Sequence, residues 1–98
     1  GLGRTGKFFS FEHFDIKPDI VTLAKGLGGG IPIGAILLNE KTSKLLSAGQ
    51  HGTTFGGNAL ACATGLVVLN KLGEGLQTEI NRNSSYLKKK FQELLKLR

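Results

Sequence analysis

The sequence of 98 residues contains no methionine, no tryptophan and a single cysteine, Cys62. One cysteine excludes an internal disulfide, and its place in a run of small apolar residues is typical of a packed thiol in a reducing compartment. Since no residue is methionine, residue 1 is not an initiator, and the chain opens inside a glycine-rich loop. We therefore expect a segment of a longer protein.

Long hydrophobic runs and clusters of metal ligands are also missing. No apolar run reaches the roughly 18 residues that a membrane-spanning helix requires, and the start lacks the layout of a signal peptide. His13 and His51 are the two histidines, and no Cys/His cluster exists, so the sequence predicts no metal site. These absences predict a soluble, cytoplasmic protein with no membrane partner.

The charge is positive, with 13 Lys and Arg against 7 Asp and Glu. Such a balance is compatible with nucleic-acid binding. The basic residues concentrate near the C-terminus without interleaved aromatic or base-reading motifs, which favours a solvated helix face and no nucleic-acid partner. A basic interaction domain is the weaker alternative. The residues concerned are Arg82, Lys88, Lys89, Lys90, Lys96 and Arg98.

A lysine at the end of an apolar run organises the chain. Ile20–Ala24 is continuously apolar, which predicts a strand covered on both faces in an α/β sheet. Lys25 follows directly, and three glycines begin at Gly28. Burial disfavours the ammonium form, and a free amine is a nucleophile toward carbonyl groups. The alternative is a strand-end lysine whose head stays hydrated.

The first six residues, Gly1–Gly6, fit the pattern G-x-G-x-x-G. A dinucleotide fingerprint follows a strand and opens a helix, and neither is indicated here, so a tight loop is favoured over a nucleotide site. A short helix is predicted around Ser10 to Phe14, where His13 takes a surface or cap role. Four phenylalanines are expected to cluster there: Phe8, Phe9, Phe11 and Phe14.

A second buried strand is predicted within Ile33–Leu38. Eight residues separate it from Ala24, too few for a crossover helix, so adjacent strands would be antiparallel. Residues 39–46 resemble a short polar helix with a cap near its start.

A loop rich in glycine and threonine, residues 50–58, leads into an apolar helix predicted for 59–72. Asn58 is a good N-cap, and the helix is expected to be deeply buried because it is apolar almost all round. The hydroxyls of Thr53 and Thr54 beside a helix N-terminus predict either an anion site, most naturally for phosphate, or a flexible surface loop. His51 stands at the edge of this loop.

The C-terminal stretch from Glu74 carries an apolar stripe at helical spacing. It predicts one amphipathic helix, or two fused near Asn83, that needs a partner surface. The stripe is formed by Leu76, Ile80, Leu87, Phe91 and Leu94.

A buried lysine at a strand end, a glycine turn and a hydroxyl-bearing loop suited to phosphate together indicate pyridoxal phosphate, a carbonyl cofactor that carries a phosphate. The chain closely resembles the class III pyridoxal-phosphate-dependent aminotransferases. The segments that carry the resemblance are GLGRTGKFFSFEHF (1–14), KPDIVTLAKGLGGGIPIGAILL (17–38) and HGTTFGGNALAC (51–62). They cover most of the first two thirds of the chain in the family's order and spacing.

The resemblance implies an α/β fold: part of a fold-type-I large domain, incomplete, with two strands of a mostly parallel sheet plus helices. Residues 1–72 would belong to the cofactor-binding large domain and 73–98 to a helical segment leading toward the small domain. Lys25 would be the catalytic, cofactor-binding lysine. Thr54 would reach the cofactor phosphate of the other subunit in a homodimer. Ala59 stands where relatives commonly have proline, which the first helical position tolerates.

The implied reaction is transamination between an N-acetylornithine-like ω-amine donor and 2-oxoglutarate, as in arginine biosynthesis. Ornithine, succinylornithine and 4-aminobutyrate aminotransferases are alternatives within the family, and a non-catalytic phosphate-binding module is one outside it. The family's ring-pairing aspartate, its phosphate loop, its ring-stacking aromatic and its substrate arginines are not among these 98 residues. We therefore expect the 98-residue chain by itself to be inactive.

Overall fold

The two apolar runs form an antiparallel pair of strands. In the computed structural model, which describes residues 1–97, β1 (Ile20–Leu23) pairs with β2 (Ala35–Leu38), with Ile20 opposite Leu38 and Leu23 opposite Ala35. The chain reverses between them through a 3₁₀ turn at Lys25–Gly28, named here the lysine turn. The prediction of an antiparallel pair is confirmed, and β1 ends at Leu23, one residue earlier than predicted.

The predicted helices are present with changed bounds. A 3₁₀ helix spans Ser10–His13, α1 spans Glu40–Ser43, α2 spans Ala59–Lys71 and α3 spans Gln77–Leu95. Asn39 and Asn58 cap α1 and α2, because their side-chain oxygens accept from backbone N–H groups at 2.9 Å in both cases. The α1 helix is shorter than predicted, since the chain leaves helical bonding after Ser43.

A break separates α2 from α3 at Leu72–Leu76, a π-helical segment in which Gly75 has φ 103°. Glycine adopts this backbone conformation without steric cost. The α3 helix runs through Asn83 uninterrupted, so a single C-terminal helix is the correct alternative. The alternative of two helices fused near Asn83 is therefore wrong.

Little of the apolar surface is covered within the described residues. The buried apolar side chains are Leu27, Ala61 and Leu72, and the radius of gyration is 17.6 Å against about 13 Å for a compact chain of this length. The predictions of a deeply buried α2 and of a packed Cys62 are therefore wrong for this chain. The open face of α2 carries Leu66 and Val67, each 60% exposed, and Cys62 in the same helix is exposed too.

The prediction that β1 is covered on both faces is wrong for the same reason. Ile20 is 53% exposed and Thr22 is exposed, whereas Val21 and Leu23 are half-buried. Residues 1–97 thus cover one face of β1 and leave the other open.

One helical stretch, Ala59–Leu95, is long and apolar enough by composition to cross a membrane, contrary to the expectation from the sequence. The kink at Gly75 divides it into helices of 13 and 19 residues. At about 1.5 Å per residue the apolar α2 is about 20 Å long, which is short of a hydrocarbon core of about 30 Å. The longer α3 carries acidic and basic residues, so the composition test is weak evidence for a membrane span.

Candidate functional site

A cleft of about 620 Å³ opens beside Lys25. One wall is the end of β1 and the start of the lysine turn, residues 21–26. The other wall comes from the N-terminal loop and the first 3₁₀ helix, and it contains Arg4, Phe9 and Phe11. The volume is within the range of about 300–1,000 Å³ that is usual for ligand sites.

The lysine stands at the carboxyl end of β1 in an unusual backbone conformation. Lys25 has φ 52° and is the one non-glycine residue with positive φ among the described residues. This left-handed backbone conformation costs a residue other than glycine about 1–2 kcal/mol. The side chain is exposed, so its predicted burial is wrong for this chain. Ala24 and Gly26 on either side are exposed as well, because the described residues supply no element that covers this end of β1.

The cleft is electropositive. Its lining contains Arg4 and Lys25 and, within residues 1–97, neither aspartate nor glutamate. No ion pair found in the described part of the chain involves Lys25. The amine of Lys25 is suited to an aldehyde, the guanidinium of Arg4 to an anion, and the two phenylalanine rings to an aromatic ring. Together these groups fit pyridoxal phosphate, which has all three features.

Two glycines of the N-terminal loop, Gly3 and Gly6, allow close packing. Gly3 (φ 68°) lies against the side chain of Leu72, and Gly6 (φ 85°) lies against Asn81, so a Cβ at either glycine would overlap its neighbour. Asn81 Nδ2 also donates to the Gly6 carbonyl oxygen at 3.1 Å. This loop opens no α-helix, and the preference for a tight loop is thereby supported.

The aromatic cluster forms in part. Phe8 and Phe9 meet edge to face with centroids 4.9 Å apart, and Phe9 stacks on Phe11 at 5.2 Å, whereas Phe14 is 69% exposed. His13 Nε2 lies 2.9 Å from the Thr5 carbonyl oxygen. This contact is the surface role predicted for His13, since it ties the helix to the N-terminal loop.

The loop of residues 50–58 lies apart from the cleft. Thr54 and His51 are exposed, and neither is among the described residues that line the cleft. Thr53 Oγ1 accepts from the Gly56 N–H at 3.2 Å, so this hydroxyl serves the loop itself. Of the two predicted site residues, the structure thus places Lys25 in the cleft and Thr54 outside it.

Sequence reasoning missed three features of the site. It did not predict that Phe9 and Phe11 line the cleft, that Leu27 anchors the lysine turn, or that Asn81 holds the N-terminal loop. Leu27 is 5% exposed, and a leucine between glycines gives no local signal for that burial. Asn81 is 75 residues away from its partner Gly6, a separation that sequence periodicity does not reach.

The whole chain, residues 1–98, matches the family model described as aminotransferase class III. The chain therefore belongs to the class III aminotransferases. The fold is accordingly a partial α/β domain of fold-type I. Class III aminotransferases in general depend on pyridoxal phosphate.

Curated relatives give a consistent picture. The chain is 50% identical over 94 residues to an acetylornithine aminotransferase of Aquifex aeolicus, covering 96% of this chain and 25% of that protein. It is 48% identical to an acetylornithine aminotransferase of Methanocaldococcus jannaschii, covering 97% and 24%. The chain thus spans about a quarter of the length of the curated relatives it matches.

Solved structures agree in fold. An acetylornithine aminotransferase from Elizabethkingia anophelis superposes with a TM-score of 0.89 at 37% identity, covering 98% of this chain and 24% of that one. An ornithine δ-aminotransferase from Plasmodium falciparum gives a TM-score of 0.86 at 41% identity, covering 98% and 25%.

Proposed function

We propose that the protein containing this chain is a pyridoxal-phosphate-dependent aminotransferase that moves an amino group between an N-acetylornithine-like ω-amine and 2-oxoglutarate, a step in arginine biosynthesis. The observation that carries the proposal is the position of Lys25, which follows the carboxyl end of a strand and lines an electropositive cleft. Relatives about 50% identical that are named acetylornithine aminotransferase support the substrate class.

Lys25 is the proposed catalytic and cofactor-binding residue. When bound, pyridoxal phosphate supplies an aldehyde and a conjugated ring that withdraws electrons from the carbon bearing the substrate amine. Lys25 Nζ would hold that aldehyde until the substrate amine takes its place. The freed Nζ would then accept the proton of the carbon that bears the amine and deliver it, in the same half of the reaction, to the carbon that had been the aldehyde.

The other groups in the cleft bind and orient. Arg4, from the N-terminal loop, lines the cleft, and its guanidinium would attract an anion there. Phe9 and Phe11 provide an apolar surface on which an aromatic ring would pack beside Lys25.

Thr54 is proposed to bind the cofactor phosphate of the second subunit in a homodimer. Its position outside the cleft that contains Lys25 supports a role in another copy's site. The loop is exposed, so its hydroxyls are accessible to a neighbouring subunit.

The proposed domain division follows the helix break. Residues 1–72 would belong to the cofactor-binding large domain, and 73–98 would lead toward the small domain; Arg98 lies outside the described residues. The kink at Gly75 supports a boundary at this point. A cytoplasmic location is proposed from the kinship with biosynthetic aminotransferases.

Ornithine transamination is the second candidate. Similarity to the Plasmodium falciparum ornithine δ-aminotransferase, at 41% identity over 98% of this chain, favours it. Turnover of N-acetylornithine and of ornithine by the full-length protein, compared at equal concentration as kcat/KM, distinguishes the two substrates.

Borohydride reduction tests the chemistry. The full-length protein is incubated with pyridoxal phosphate, reduced and digested, and we expect the added cofactor mass on the peptide that contains Lys25. Lys25→Arg should abolish the adduct, whereas Lys17→Arg, at an exposed lysine eight residues earlier, should leave it unchanged. An adduct that survives Lys25→Arg, or none in the wild type, would refute the proposal and leave a non-catalytic phosphate-binding module.

A further inference from the structure

The backbone of Lys25 is held in a conformation that L residues rarely adopt. Its φ of 52° is the one positive value outside glycine among residues 1–97, and it brings Cβ close to the following carbonyl oxygen. Such a conformation persists where the surroundings impose it. The dihedral angles of Lys25 set the direction in which its side chain leaves the backbone, and Lys25 lines the cleft in this conformation.

Local hydrogen bonds give the lysine turn modest support. The Leu27 N–H donates to the Ala24 carbonyl oxygen at 3.2 Å, and the Gly29 N–H donates to that of Gly26 at 3.2 Å. Both distances are at the long end of the normal range. The side chain of Leu27 is different, because it is 5% exposed while its neighbours Lys25 and Gly26 are exposed. Leu27 is therefore the anchor of the turn.

The surface that receives this anchor is α2. The lysine turn packs on α2, where Ala61 and Gly65 are the buried residues. A Cβ placed on Gly65 would lie 3.6 Å from the Leu27 carbonyl oxygen, so the backbone of the turn rests directly on the helix. Small residues one helical turn apart make this approach possible.

We propose that Leu27 is a positioning residue for Lys25: its burial against α2 holds the turn in the left-handed conformation that directs Nζ into the cleft. The proposal rests on the proposed function of Lys25. Without the anchor the backbone relaxes to negative φ and the amine leaves the cleft. Groups that bind the cofactor without a covalent bond are not affected by this change.

Two ligands separate positioning from general stability. Pyridoxal 5′-phosphate bonds to Nζ through its aldehyde, whereas pyridoxine 5′-phosphate has the same ring and phosphate but an alcohol in place of the aldehyde. In the full-length protein we expect Leu27→Ala to weaken binding of the aldehyde by about tenfold or more and to leave binding of the alcohol within about twofold. Leu72→Ala is the matched control, since Leu72 is 4% exposed and packs on Gly3 instead; it should change both affinities equally.

The outcomes are distinct. Equal loss for both ligands in Leu27→Ala, or loss for neither, overturns the positioning role. Leu27→Met, which conserves volume, should restore selective binding of the aldehyde, and Leu27→Val should show the same selective loss to a smaller extent if the alanine variant does not fold. A borohydride adduct on Lys25 in the wild type shows that Lys25 is the residue that bonds the cofactor, so the variants then test Leu27 alone. Its absence refutes the proposed function itself, and the positioning role with it.

Discussion

Two neighbouring threonines offer a direct test of the phosphate site. In Thr54→Val the hydroxyl proposed to donate to the cofactor phosphate is lost, while the size of the side chain is kept. A hydrogen bond to a charged group contributes about 1.5–3 kcal/mol, so the affinity for pyridoxal phosphate should fall by about ten- to a hundredfold. Thr53→Val is the matched control, because Thr53 Oγ1 accepts from the Gly56 N–H within its own loop. Its loss should lower stability slightly and change affinity little.

A mixed dimer tests whether Thr54 of one subunit completes the site that contains Lys25 of the other. Lys25→Ala and Thr54→Val chains, carrying different affinity tags, are co-expressed, and the mixed dimer is purified through both tags. If Thr54 serves the partner subunit's site, one site of the mixed dimer holds an intact Lys25 and an intact Thr54. About half of the wild-type activity should then return, since one of two sites is native.

The refuting results are clear for each measurement. Activity is measured at a cofactor concentration that limits the Thr54→Val parent. A mixed dimer with only half of that parent's activity would place Thr54 and Lys25 in the same subunit's site. Equal effects of Thr53→Val and Thr54→Val on affinity would show that the loop acts through its conformation, and the assignment of the phosphate contact to Thr54 would then be wrong.

Four further predictions concern stability and activity. Asn58→Ala removes the cap of α2 and should cost the full-length protein about 1 kcal/mol, seen as a lower urea midpoint with unchanged slope; an unchanged midpoint would contradict the cap. Gly6→Ala should cost about 1–3 kcal/mol, because its φ of 85° disfavours a side chain and the added Cβ meets a packed neighbour, whereas Gly52→Ala, which has open space, should be near neutral. A hydrogen bond from Lys71 to Glu74, and the charge of that carboxylate, hold the pKa of Lys71 above its ordinary value. Its contribution to stability is present below the ordinary pKa and is lost as pH rises through the raised one, so melting curves of wild type and Lys71→Gln should converge at alkaline pH, and persistent divergence there would count against it. The 98-residue chain by itself should show no transaminase turnover, and turnover that disappears in its Lys25→Ala variant would disprove this expectation.

Local features of this protein were predictable because their causes are local. Asn39 precedes a polar helical run and Asn58 an apolar one, and each caps its helix as expected. The short connection between the apolar runs dictated an antiparallel pair, which is observed. Burial was predicted poorly, because Lys25 and α2 were expected to be covered by elements that the described residues do not supply.

The sequence by itself determined the strands, the caps and the family, since these depend on residue type and spacing over a few positions, and in the family's case on three stretches in a fixed order. The tertiary structure decided how the site is held. It brought Leu27 against α2, placed Asn81 on Gly6 and turned Lys25 to φ 52°. These contacts join residues tens of positions apart, and such packing depends on where the chain returns in space, which local patterns do not encode.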